Sequence, residues 1–269
     1  MLDAALYESL KAHLLALGVA LPRMLAIFIM LPIFARAVMP GLLRACIAGA
    51  LVLPAAMHLV PTVEGALRAD QLDGARLVGL IVKEGFLGMV MGYLLAIPFW
   101  AMEAVGFLID NQRGASIAAT VNPLTGHDTS PLGILFNQAF IVFFFAAGGF
   151  ALFLDVVYGS YTAFPVFSFL PSFDAAAPTV ALQMLDGMVR MSVLMAAPVM
   201  IAMFLAEVGL AFISRFAPQL QVFFLAMPIK SALAMMMLAI YATTLFGYAL
   251  EHVRAMGQTV PHASGLFVR

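Results

Sequence analysis

Charge is what this sequence lacks most. Its 269 residues hold 13 basic and 14 acidic side chains, 10% in all, against 64% hydrophobic residues. A soluble domain carries about 25% charged residues to coat its surface, and here that coat is missing. The solvent must be lipid, or protein that is equally apolar. A net charge of −1 leaves no field to attract nucleic acid. Cysteine is almost absent: Cys46 has no second thiol to pair with, which excludes an internal disulfide, and its apolar run reads as packing. The templates of catalysis are missing too. Five histidines (His13, His58, His127, His252 and His262) are scattered, and no HExxH, P-loop, GxGxxG or GxSxG occurs. Asp110 opens a polar stretch and Asp155 closes an apolar one, so they read as interface residues rather than as a protease pair. The expectation is a protein that is not an enzyme and holds no cofactor or metal.

What is present is long apolar runs. In lipid the backbone must satisfy its own hydrogen bonds, which leaves helices or a closed barrel. Barrel strands would alternate in polarity over about ten residues, and these runs do not. The fold class expected is all-α, a polytopic membrane protein of helical hairpins with tilted and kinked helices. A span needs about 20 apolar residues, and six regions qualify: about 12–34, 41–61, 77–109, 131–157, 188–213 and 222–250. The third is too long for one straight span and holds Pro98, so a tilted, kinked or broken helix is expected there. Residues 62–76 read as a solvated loop or short amphipathic helix, and 158–187, with Pro165, Pro171 and Pro178, as an extended linker. Residues 110–130, rich in Gly, Asn, Thr and Pro, favour irregular backbone. The N-terminus has two acids and no basic stretch, so a retained segment is expected rather than a cleaved signal peptide. One helical membrane domain, 1–269, is the expected organisation.

Five charges sit inside the apolar runs: Arg23, Lys83, Glu103, Glu207 and Lys230. Each costs at least ~2.5 kcal/mol at mid-bilayer, so each is expected to be buried against protein, paired or hydrated. Glu207 and Lys230 lie equidistant from the turn at Pro218 and Gln219, which puts them at one height on an antiparallel hairpin. They read as a polar pair that staples the hairpin, or else as part of a transport pathway. Gly88 and Gly92 form a small-xxx-small face that lets another helix approach closely. The 19 methionines could form a deformable seal or be ordinary apolar filling.

Three stretches carry a family resemblance: RFAPQLQVFFLAMPIKS at 215–231, FLIDNQRGAS at 107–116 and NPLTGHDTSPLG at 122–133. Together, in order and spacing, they resemble the T subunit (SctT, YscT-like) of the bacterial type III secretion export apparatus, whose flagellar relative is FliR. The resemblance runs along about residues 20–250 and favours the injectisome branch. It implies a structural part of the export gate in the bacterial inner membrane, within the base of the secretion system. It implies the R and S subunits as partners, with the U and V subunits beside them, and unfolded secreted proteins as substrates in transit. The family's channel plug falls on Asp110, Asn111, Gln112, Arg113, Gly114, Ala115, Ser116, Ile117, Ala118, Ala119, Thr120, Val121 and Asn122. It also implies that some apolar helices pack on sister subunits rather than on lipid. The main rival is a secondary transporter or channel for a small solute, which should show an inverted repeat with paired broken helices. The sequence offers one candidate, 77–109, without a mate.

Overall fold

The computed structural model describes residues 2–35, 39–69, 72–114, 130–168, 177–216 and 222–267. Among them the chain is all-α, with no strand: α1 (Leu2–Met30), a short 3-10 turn (Pro32–Phe34), α2 (Gly41–Arg68), α3 (Gly74–Arg113), α4 (Pro131–Ala146), α5 (Gly149–Ala163), α6 (Ala177–Phe216) and α7 (Val222–Phe267). Among the described residues, five helical stretches are long and apolar enough to cross a membrane, and the α4–α5 pair makes a sixth if taken as one bent span. Pro22, Pro54, Pro61, Pro98 and Pro198 lie inside helices. In apolar surroundings no other backbone conformation satisfies more hydrogen bonds, so proline is tolerated there.

Three expectations are refined. Of the tilted, kinked or broken forms expected for about 77–109, the broken one does not occur: α3 runs through Pro98 to Arg113. The polar stretch from residue 62 continues α2 as far as Arg68, where Glu64 and Arg68 pair at 3.6 Å one turn apart. The region about 131–157 is not one straight helix: it is two, broken at residues 147 and 148, and counts as a span when the bent pair is taken as one. Gly148 makes that break possible, since its φ of 77° is a left-handed conformation that side chains disfavour.

The chain clusters into two compact units. The first comprises residues 1–96, 150–181 and 257–269; the second comprises 97–149 and 182–256. In the first, α1 packs along α2 through Ala12, Ala16 and Val63, while Val19, Leu80 and Val166 gather around Leu59, Leu77 and Phe167. Phe28 and Phe34 stack at 3.8 Å, with Phe153 beside both. In the second, Phe99 meets Phe140 and Phe144 edge-on at 5.0 and 5.2 Å, and Phe143 stacks on Phe246 at 4.8 Å.

Candidate functional site: two polar clusters in apolar helices

The first unit is built around a buried arginine. Arg23, fully enclosed on α1, donates to both carboxylate oxygens of Glu84 on α3, at 2.6 and 2.9 Å. Its remaining donors reach the carbonyl and hydroxyl of Ser160, at 2.7 and 3.2 Å, and the carbonyl of Phe164 at 2.9 Å. The guanidinium lies 4.2 Å from the ring centre of Tyr161, whose hydroxyl donates to the Ala20 carbonyl. Lys83 completes the cluster, 2.8 Å from Glu84 and donating to the carbonyls of Pro165, Val166 and Ser168. Two cations thus share one carboxylate and cap the carbonyl-rich end of α5. That end carries a partial negative charge, so the excess positive charge has its complement. Sequence reading named Arg23 and Lys83 but missed Glu84 as their counter-charge. The signal was an acid beside Lys83 within an apolar run.

Gly88 and Gly92 lie on the same contact. A Cβ on Gly88 would stand 2.3 Å from the Arg23 carbonyl oxygen, and one on Gly92 would stand 2.9 Å from Ile27 Cα. Gly85 meets nothing. Only hydrogen side chains at these two positions allow α1 and α3 to come so close.

The second unit holds the residues expected to start the plug, and their backbone is not irregular as expected. Asp110, Asn111, Gln112 and Arg113 are not loop but the last turn of α3, and Gly114 ends it with φ 84°. The helix persists because Asp110 is answered on both sides. Arg113 pairs with it at 2.7 Å from the same turn, while the Ser130 hydroxyl and the Leu132 amide donate to its Oδ2 at 2.7 and 3.0 Å. Ser130 also caps α4, accepting from the Gly133 amide at 2.9 Å. An anion at a helix N-terminus is favoured by the dipole. Gly106 makes the crossing tight: a Cβ there would fall 2.4 Å from the Gly133 nitrogen. The end of α3 and the start of α4 are therefore clamped together. Ala115, Ser116, Ile117, Ala118, Ala119, Thr120, Val121 and Asn122 lie outside the described residues.

Glu207 and Lys230 sit at 3.3 Å, with Gln112 donating to Glu207 at 3.5 Å. Lys230 is mostly covered, whereas the Glu207 side chain is 49% exposed. Glu103 departs from the expectation of burial. It is exposed, with none of the described residues covering its face of α3, and it accepts from Asn137 at 3.2 Å. No cluster of His, Cys, Asp and Glu able to hold a metal occurs among the described residues.

Against known proteins, residues 14–256 match the family described as bacterial export proteins, family 1. The chain is 40% identical over 242 residues to the Yop proteins translocation protein T of Yersinia pestis, covering 90% of this chain and 91% of that one. It is 35% identical to the secretion system apparatus protein SsaT of Salmonella typhimurium, over 65% of this chain and 66% of that one. The flagellar biosynthetic protein FliR of Bacillus subtilis is 29% identical over 62% of this chain and 65% of its own length.

Proposed function

Because the chain belongs to the bacterial export proteins, family 1, as a membrane component of a type III secretion export apparatus, we propose that it forms part of the closed channel through which unfolded proteins cross the inner membrane. Its role is structural, without a catalytic step, and its partners in the channel are the R and S subunits, with the U and V subunits adjoining. The single observation that carries this reading is a likeness spread along 90% of the chain. Large apolar side chains left open on every long helix suit a protein that is completed by lipid and by sister subunits. Extraction in mild detergent should bring the chain out with two other small hydrophobic membrane proteins of the same apparatus. Recovery as a lone, well-behaved monomer would point to the small-solute transporter instead.

Within that channel we assign the plug to residues 110–122, with the contacts of Asp110, Arg113 and Ser130 at its base. Its sequence has small side chains at Ala115, Ser116, Ala118 and Ala119 and modest apolar bulk at Ile117 and Val121, the balance a movable plug needs. Deleting 115–120 should leave the complex assembled but leaky, read as loss of membrane potential or slowed growth. Normal potential and normal secretion in the deletion strain would return the segment to an ordinary loop.

A further inference from the structure

The acidic side chains of the second unit are not all treated alike. Asp110 is answered by Arg113, and Glu207 by Lys230. The same holds for Glu84 in the first unit, which has Arg23 and Lys83. Glu103 differs: its hydrogen-bond partner among the described residues is the neutral amide of Asn137. It lies ten residues before the end of α3, about 15 Å along the axis, within a helix long and apolar enough to cross a bilayer. A carboxylate within such an apolar stretch is expensive wherever it meets hydrocarbon, and is normally paired or hydrated.

The surroundings decide between those two. One and two turns after Glu103, Phe107 and Asn111 continue the same exposed face of α3. On α4, Ile134, Gln138 and Val142 make a second exposed row at the same spacing. The Glu103–Asn137 hydrogen bond joins the two rows at one edge. Bare lipid gives no answer to a carboxylate, and a water-lined wall would not present Phe107, Ile134 and Val142. A protein helix with one cation among apolar residues answers both.

We propose that this α3–α4 face is a docking surface for a membrane helix of another apparatus subunit, and that a lysine or arginine on that helix pairs with Glu103. The proposal rests on the export-apparatus reading above. Phe107 and Val142 supply the apolar contact, while Asn111 and Gln138 offer amides to its polar groups. Among the described residues, Glu84, Asp110 and Glu207 have cations of this chain beside them; at Glu103 the cation arrives with the partner.

The test uses the assembled complex. Glu103→Gln should lower co-recovery of one particular subunit about threefold, and Glu103→Lys about tenfold or more, since like charges at an interface repel. A lysine- or arginine-to-glutamate change in that subunit's helix should restore the Glu103→Lys complex. Two further measurements hold even if that variant folds poorly. A photo-crosslinking residue at position 107 should capture one apparatus subunit, identified by mass spectrometry, on a segment that contains a cation. In a Cys46→Ser background, Glu103→Cys should be shielded from a charged thiol reagent once the complex forms. Labelling of the complex at the rate of the free chain would overturn the proposal, as would crosslinks to lipid or transiting substrate alone. If wild-type chain brings down no apparatus subunits, the export reading itself fails. If it does, and Glu103→Lys changes nothing, only this inference fails.

Discussion

The Arg23 cluster is the costliest set of residues to disturb. Arg23 and Glu84 are both fully enclosed and doubly bonded, so removing the glutamate charge strands Arg23, and Lys83 with it, where water does not reach. Glu84→Gln should destabilise the detergent-solubilised chain by about 3–5 kcal/mol, read as a large drop in melting temperature. Replacing the pair together, as Arg23→Met with Glu84→Leu, should cost less than the two single changes added. If the single changes melt like wild type, the cluster is not holding α1 to α3. The Glu207–Lys230 contact is of another kind, since half of the glutamate is open. In the free chain its coupling should be small, about 1 kcal/mol or less. In the assembled complex both single changes to Gln should lower secretion, and the double change should hurt less than their sum. Additive losses in that cycle would mean the two charges act separately.

At the scale of the element, glycine position decides how close helices come. Gly85 and Gly88 are both in α3, three residues apart, yet a methyl group at Gly88 would collide with the Arg23 backbone while one at Gly85 would meet nothing. Gly88→Ala should therefore cost about 1–3 kcal/mol by forcing α1 and α3 apart. Gly85→Ala should be neutral or gain up to about 1 kcal/mol, because alanine is the better helix former. Thermal melts of the two variants side by side check this, and equal effects would refute the close-approach explanation. α3 itself has 40 residues, about 60 Å of helix against a hydrocarbon layer of about 30 Å. Such a helix cannot be wholly immersed when upright, which agrees with its carrying a polar cluster at Lys83–Glu84 and another at Asp110–Arg113.

At the scale of the whole molecule, the chain leaves an unusual amount of its apolar surface open. Leu42, Val142, Ile240 and Phe216 are each more than half exposed, and they come from four different helices. Where lipid and sister subunits should cover these faces, the isolated chain offers them to itself. Purified alone, it should elute from a sizing column as a broad or aggregated species and sharpen when its partners are co-expressed. A monodisperse, stable monomer without partners would contradict this.

Composition determined the class, because the choice between water and lipid depends on summed polarity and not on which residue touches which. It also placed the long helices, and the turn arithmetic at Pro218–Gln219 put Glu207 and Lys230 at one height, since both rest on spacing along the chain. What the sequence misjudged had a local signal outweighed by its neighbours. Apolar residues on both sides of Gly148 and Gly149 hid the break between α4 and α5. Asp110 to Arg113 looked like loop because their polar character predicts irregular backbone, whereas Ser130 and the α4 N-terminus, some 20 residues on, keep them helical. The pairing of Arg23 with Glu84, 61 residues away, and with Ser160, 137 residues away, was beyond reach. Sequence distance leaves the rotation and register of two packed helices open, and an ion pair is made only when both are fixed. Tertiary structure alone decided which charges of this chain face one another and which face outward.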